Sequence, residues 1–180
     1  PAAVNPGSGF TYEITVRNLG PSDIGNGVGE LGALLDDTFV AQLQGDPFKC
    51  GAGATVPCWE YCSSDNGVVG SYLPDATCTG EISSGTGSIN NAGFKLRAGS
   101  SSKVLVYAAV GGLATGSVSN SASVSSGDVA VVDSVAGNNS SGPVVTNIDI
   151  NTDINVATTD SAITAVPGLD HSYQITVTNQ

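Results

Sequence analysis

The sequence lacks methionine and has one tryptophan, one histidine and only 5 lysine or arginine residues in 180. The single imidazole, His171, gives little support for nucleophilic catalysis, because the base of such a site needs both a nucleophile and an orienting partner. The 5 basic residues face 16 acidic ones, for a formal charge of −11, whereas a polyphosphate binder needs a basic footprint. We therefore expect no enzymatic activity, no nucleic-acid partner and no anionic membrane partner.

Long apolar runs and helical periodicity are also missing. No apolar run approaches the roughly 20 residues that span a bilayer, so we expect no membrane insertion. No G-x-G-x-x-G segment follows a strand and opens a helix, which argues against a dinucleotide-binding fold. The 24 glycines and 8 prolines instead separate short segments rich in Val, Ser and Thr. Short strands about every ten residues predict an all-β, two-sheet antiparallel β-sandwich.

One segment occurs twice. Residues 4–23 read VNPGSGFTYEITVRNLGPSD, and the far end of the chain reads VPGLDHSYQITVTNQ. Aligning Tyr12 with Tyr173 sets an offset of 161 positions (173 − 12). At that offset these pairs coincide: Pro6/Pro167, Gly7/Gly168, Ile14/Ile175, Thr15/Thr176, Val16/Val177 and Asn18/Asn179. Apolar and polar residues alternate in both copies, which is the pattern of a half-buried strand, and the chain is predicted to hold one repeat and the opening of a second.

The remaining pattern predicts the other strands. They are expected at 10–19, 32–35, 38–43, 81–84, 93–97, 102–110, 117–125, 129–132 and 143–146, with Asp36 and Asp37 forming a turn. The run 103–110 is the most apolar and is the candidate central strand. In 117–125 the alternation places Asn120 on the inward face, where the amide needs hydrogen-bond partners, which we expect to be neighbouring backbone groups.

The four cysteines, Cys50, Cys58, Cys62 and Cys78, lie within 29 residues. Zinc would need an all-thiolate site, and the spacing C-x7-C-x3-C-x15-C lacks the paired C-x2-C knuckles of zinc ribbons. We therefore favour two disulfides, and of the three possible connectivities we prefer Cys50–Cys78 around Cys58–Cys62. Disulfides imply an oxidising, extracytoplasmic setting.

Residues 45–79, which hold all four cysteines, form the irregular part of the chain. A loop of this length without regular structure is uncommon unless it is functional or cross-linked, and here disulfides are expected to staple it. Trp59 and Tyr61 either cover the disulfides as a small core or are exposed contact residues. Together with Tyr72, the second alternative predicts a surface adhesin or carbohydrate-binding module with glycans as partners.

Five separated motifs occur in a fixed order: FTYEITVRNLGPS at 10–22, CTG at 78–80, AGS at 98–100, SNSASV at 119–124 and NNS at 138–140. This order resembles the DUF11 repeat, a family of immunoglobulin-like β-sandwich modules strung in tandem in large bacterial and archaeal surface proteins. The resemblance covers nearly all of 4–146 and departs from the family at 45–79, where the loop is longer and richer in cysteine. It implies an extracellular or cell-surface structural or adhesive module, immunoglobulin-like in fold and with no known active site.

The resemblance also predicts the domain organisation. In such modules a strand like the one at 153–160 precedes the YxItVxN strand, and nothing equivalent precedes Tyr12. We therefore expect 1–147 to be a sandwich repeat without its opening strand, and 148–180 to be C-terminal extension strands, the first two of a following repeat.

Two strands alone are marginally stable and need completion by adjacent repeats of the same chain or by identical subunits. The favoured function is a subunit of an extracellular fibre that joins head-to-tail by strand addition and gives an open filament. The residues expected at this contact are Ile148, Ile150, Ile154, Val156, Tyr173, Ile175 and Val177.

Three smaller hypotheses concern side-chain chemistry. The spacing of oxygen ligands in 149–160 resembles a calcium loop, but its sixth position is Ile154 and not glycine, so an extended strand is favoured over a calcium site at Asp149, Asn151 and Asp153. Asn138 and Asn139 lie in overlapping N-x-S sequons, which makes them candidate glycosylation sites. Lys95 or Lys103 with Asn120 and Glu13 could form an intramolecular isopeptide bond.

Overall fold

The computed structural model of the chain describes residues 3–25, 30–65, 69–128, 131–160 and 164–179. Regular structure in these ranges is almost entirely β-strand. The strands are β1 (Ala3–Val4), β2 (Gly9–Arg17), β3 (Ala33–Asp37), β4 (Leu43–Gly45), β5 (Cys58–Cys62), β6 (Ser71–Tyr72), β7 (Ile82–Thr86), β8 (Ile89–Phe94), β9 (Ser101–Val110), β10 (Ser117–Asn120), β11 (Ala122–Ser126), β12 (Val144–Ile148), β13 (Ile154–Thr159) and β14 (Gln174–Asn179). A single turn of 3-10 helix covers Ala136–Asn138. The chain divides into unit 1, Pro1–Asp149, and unit 2, Ile150–Gln180.

The first layer of unit 1 is centred on β9, the longest strand. β2 pairs antiparallel with β9 over nine residues without a register shift, and β5 pairs antiparallel on the other side, followed by β7. The short strands β4 and β6 also pair with β9. The predicted central strand is therefore confirmed. Its side chains alternate, and the apolar ones lie on the face that meets the second layer.

The second layer consists of two three-stranded sheets. One has the order β11-β3-β8, and the other has the order β1-β12-β10, in which β1 runs parallel to β12. The predicted strand at 117–125 is divided at Ser121, so that β10 belongs to one of these sheets and β11 to the other. The predicted all-β sandwich is confirmed, and the single strand expected at 117–125 is wrong.

The core lies between the layers. Val104 and Val106 of β9 pack with Phe94 of β8 and Leu35 of β3, and all four side chains are buried. A second cluster fills one end of the sandwich with Val110, Val118 and Ile148, among others. Ile148 is therefore a core residue of β12 in unit 1, and its predicted place in the assembling tail is wrong.

Three further expectations need correction. Cys58–Cys62 is not part of an irregular loop but is the strand β5, hydrogen-bonded on both sides. Asp36 and Asp37 do not form a turn; they end β3, and Asp37 is buried. Of the strand predicted at 129–132, residues 129–130 lie outside the described residues and 131–132 are not in a strand.

Unit 2 contains an antiparallel pair of strands. β13 and β14 pair over six residues, from Ile154 opposite Asn179 to Thr159 opposite Gln174. The prediction of an extended strand in 153–160, in preference to a calcium loop, is confirmed. Among the residues with described structure, no helix is long and apolar enough to cross a membrane.

Candidate functional site

The pair β13–β14 exposes an apolar face. Val156 lies opposite Val177, and opposite residues of paired strands project from the same face of the sheet. The side chains of Ile154, Val156, Ile175 and Val177 are 62–68 % exposed, and Tyr173, just before β14, is 66 % exposed. This set contains five of the seven predicted assembly residues. Of the other two, Ile150 is exposed and lies before β13, and Ile148 belongs to the core.

The same residues are covered in the first copy of the repeated sequence. Tyr12 and Ile14 of β2, which correspond to Tyr173 and Ile175, are half-buried against the core of unit 1, and Val16, which corresponds to Val177, is 4 % exposed. One strand sequence thus occurs as part of a packed sandwich in unit 1 and as part of a bare two-stranded sheet in unit 2. The residues on the exposed face of unit 2 are therefore of the kind that becomes buried when a second sheet covers them.

The free edge of β2 is the second feature of the site. β2 is the outermost strand of its sheet and pairs only with β9 among the described strands. Beside it, a groove of about 170 Å³ opens between the two layers. Its walls come from Tyr12 and Ile14 of β2 on one side and from Val118, Asn120 and Val144 of β10 and β12 on the other. An apolar groove beside an unpaired strand can take up both the backbone and the side chains of an added strand.

A buried polar cluster lies at this groove. The Asn120 amide donates to Asp37 Oδ2 over 2.7 Å, and the Tyr12 hydroxyl donates to the same oxygen over 3.4 Å. Burial raises the pKa of Asp37 to about 6, although both hydrogen bonds act in the opposite direction. Burial and the neighbouring carboxylate also raise the pKa of Tyr12. The partner of Asn120 is thus a carboxyl group and not the neighbouring backbone that we expected.

Two oxygen atoms of this cluster accept no hydrogen bond from the described residues. They are Asp37 Oδ1 and Asn120 Oδ1, both buried. A carboxylate with one buried oxygen that accepts no hydrogen bond is poorly stabilised, so the neutral acid suits this position better than the carboxylate. Sequence reasoning missed Asp37, although the alternation of Ala33, Leu35 and Asp37 along β3 was a signal for its inward orientation.

The disulfides tie down both ends of β5. Cys50 bonds to Cys58 and Cys62 bonds to Cys78. All four cysteines are in disulfides as predicted, but the predicted nested connectivity is wrong. Cys58 and Cys62 begin and end an extended strand, which separates their Cα atoms by roughly 13 Å, about twice the distance that a disulfide can bridge.

The aromatic residues near the disulfides pack inward. Tyr61 and Tyr72 are each 5 % exposed, and the Tyr61 ring lies 4.5 Å from the ring of Phe94, centroid to centroid. The Trp59 indole nitrogen donates to the Gly87 carbonyl over 2.9 Å, and the ring is half-buried. The hypothesis of an exposed binding surface is therefore wrong for Tyr61 and Tyr72. Tyr61 does not form a separate small core over the disulfides either, because it belongs to the main core with Phe94 and Val104.

The remaining candidate sites are not assembled. Asp149, Asn151 and Asp153 are all exposed, and the described residues contain no group of three or more His, Cys, Asp or Glu placed to hold a metal. Asn138 is exposed at the end of the 3-10 helix and Asn139 is half-buried, and their glycosylation stays a prediction.

The residues proposed for an isopeptide bond with Lys103 are divided between two separate contacts. Lys103 Nζ contacts Glu13 Oε2 at 2.8 Å, on side chains that are partly exposed to solvent. The Asn120 amide is instead held by Asp37, between the layers. The cross-link that joins these three residues is therefore not supported.

Comparison with known proteins finds no family model, no curated protein and no solved structure that matches the chain. The two disulfides indicate an oxidising, non-cytoplasmic environment. The features that bear on function are thus the exposed apolar face of β13–β14 and the free edge of β2.

Proposed function

We propose that the chain is a structural subunit of an extracellular fibre or cell-surface protein, and that it assembles head-to-tail by strand addition. Its role in this proposal is mechanical and not catalytic. The observation that carries the proposal is the exposed apolar face of β13–β14, because β14 repeats the sequence of a strand that is packed in unit 1. Membership of the DUF11 repeats, which occur in tandem, is part of the same proposal.

The energetic argument rests on the weakness of an isolated strand pair. Two strands without a second layer are marginally stable in water. Each of the four exposed aliphatic side chains contributes roughly 1.5–3 kcal/mol if it becomes fully buried. Contact with another unit is therefore favourable for unit 2. Because donor and acceptor surfaces differ, each added subunit leaves a free donor at one end and a free acceptor at the other, which allows growth into a filament.

The choice of partner follows from charge. The chain has a net charge of −11, but β13 contains no charged residue. This strand can therefore bind through apolar side chains and main-chain hydrogen bonds. A contact of that kind fits the backbone edge and apolar groove of an identical subunit. The disulfides support the proposed extracellular or cell-surface location.

The first prediction concerns the apolar face of β13. In Val156→Asp a charge would have to be buried at the contact, and we expect the concentration required for polymer formation to rise on the order of a hundredfold. Sedimentation velocity and negative-stain microscopy of the 180-residue chain, across a concentration series, measure this change.

The matched control is Asn155→Asp, which adds the same charge to the neighbouring position on the opposite face of β13. It should assemble like the wild type. A wild-type chain that stays monomeric at every concentration, or two variants that assemble equally well, would contradict the proposed function.

A further inference from the structure

The orientation of the main chain along β2 defines its free edge. The Asn18 N–H donates to Ser100 O and the Asn18 C=O accepts from Gly99 N, both over 2.9 Å, so Asn18 faces β9. The register from Arg17 to Gly9 is unbroken, and successive residues of a strand point their main-chain groups to opposite sides. The N–H and C=O groups that therefore point away from β9 are those of Thr11, Glu13, Thr15 and Arg17. They have no strand partner among the described residues.

This edge lacks most of the features that keep the edges of monomeric proteins from pairing. It is nine residues long, contains no proline and has no register shift that would twist it away. Proteins usually protect such edges with short strands, prolines, bulges or inward charges. Charge on the strand itself is confined to Glu13, which pairs with Lys103, and to the terminal Arg17. The edge is therefore suited to receive a strand.

Unit 2 shows which strand fits. β14 is the sequence copy of β2, and on β14 the added strand is β13, antiparallel. Thr176 corresponds to Thr15 and lies opposite Ala157, while Val177 corresponds to Val16 and lies opposite Val156. The internal repeat thus supplies both the partner strand and its register.

We propose that the free edge of β2 is the acceptor site for β13 of a second copy of the chain, antiparallel and with Ala157 opposite Thr15. The inference rests on the proposed function and adds the identity of the acceptor and the register. In this register Val156 lies beside Val16, on the same face as Ile14 and toward the apolar groove.

Exchange of β13 from β14 to β2 is favourable because the two sites differ in what surrounds them. On β14 every residue of β13 is exposed. On β2 the same main-chain hydrogen bonds form, and Val156 also packs beside Val16 and diagonally to Ile14, which forms part of the groove wall. The six residues of β13 carry no charged side chain, so like charge is confined to Asp153 and Asp160 at the two ends of the strand.

Replacing a single residue on the acceptor edge tests the inference. Thr15→Pro removes an outward N–H and adds a ring where the new strand would lie, yet it leaves the hydrogen bonds to β9 in place, and proline is tolerated at such edge positions. We expect on the order of a tenfold or greater rise in the concentration needed for assembly. Thr15→Ala, which retains the N–H, should assemble like the wild type. Thermal unfolding of both variants shows whether the sandwich is intact.

Amide hydrogen exchange of the wild-type chain is a second measurement, independent of any variant. On assembly the amides of Glu13, Thr15 and Arg17 should become protected, by tenfold or more in exchange rate, whereas amides of the other edge strand, β7, should not change. Assembly of Thr15→Pro at the wild-type concentration together with unchanged exchange at these three amides would overturn the acceptor site and leave the proposed function standing. A wild-type chain that never assembles would overturn both.

Discussion

Removal of both disulfides should lower the free energy of unfolding by about 5 kcal/mol, which is comparable to the whole stability of many domains. The bonds close sequence separations of 8 and 16 residues. The chain-entropy model assigns them about 2.5 and about 3 kcal/mol. Both bonds hold β5, which lies between β9 and β7, so their loss loosens the sheet on the side of β9 away from β2.

Paired variants separate the two contributions. Cys50→Ser with Cys58→Ser removes the shorter loop, and Cys62→Ser with Cys78→Ser removes the longer one. Denaturant unfolding under oxidising conditions should give a lower free energy of unfolding for the second pair of substitutions than for the first. Both values should be lower than that of the wild type. Mass spectrometry of a non-reduced digest should find Cys50 linked to Cys58. Finding Cys58 linked to Cys62, or no loss of stability in either pair, would refute the account of β5.

Asp37→Asn should stabilise the protein at neutral pH. The pKa of Asp37 is raised from 3.8 to about 6 in the folded chain, so the folded state binds the proton more tightly than the unfolded state does. The contribution of Asp37 to stability is therefore fully present below pH 3.8 and is lost as the pH rises through about 6. The loss amounts to about 3 kcal/mol. Asparagine is uncharged at every pH and keeps an oxygen that can accept from Asn120, so the variant avoids this loss.

The measurement is the difference in unfolding free energy between Asp37→Asn and the wild type from pH 3 to pH 8. The difference should grow between pH 4 and pH 6 and then remain constant. Asp36→Asn, on the neighbouring residue of β3, removes the same charge and reports the effect of net charge alone. A difference that is flat across this range, or that has the opposite slope, would show that Asp37 is not held as the neutral acid.

The sequence is sufficient to predict the β-sandwich, because period-two alternation is strong in β2 and β9 and the turns between strands are rich in glycine. It also predicts the strand in 153–160, since Ile154 occupies the position where a calcium loop needs glycine. These predictions depend on local patterns, which lie within a single strand and the turns next to it.

The errors concern residues whose placement depends on distant parts of the chain. Glycine and proline surround CWEYC and predict a loop, whereas its hydrogen bonds to β7 and β9, far along the sequence, make it a strand. The turn predicted at Asp36 and Asp37 is wrong because the Asp37 carboxyl group is buried. There it accepts a hydrogen bond from Asn120, which is 83 residues away in the sequence. The division of 117–125 at Ser121 reflects the pairing of β10 with β12 and of β11 with β3, which alternation along one strand does not reveal.

The candidate site is predictable in part. The internal repeat is enough to identify the apolar residues of β14, because the exposed copy matches the packed one in sequence, and period-two alternation identifies those of β13. The groove beside β2 is not predictable in this way, since its walls come from β2, β10 and β12, which are distant in sequence. The prediction for Ile148 is wrong for a related reason: the alternation from Ile148 to Ile154 continues across the boundary between unit 1 and unit 2.

The central claim is that a strand from unit 2 of one subunit completes the sheet of unit 1 in another. Electron cryo-microscopy of fibres formed by the wild-type chain tests it most directly, because the map identifies the strand beside β2. We predict density for residues 154–159 of a neighbouring subunit, antiparallel to β2 and with Ala157 opposite Thr15. Fibres in which the edge of β2 is bare, or in which β13 remains paired with its own β14, would contradict the claim.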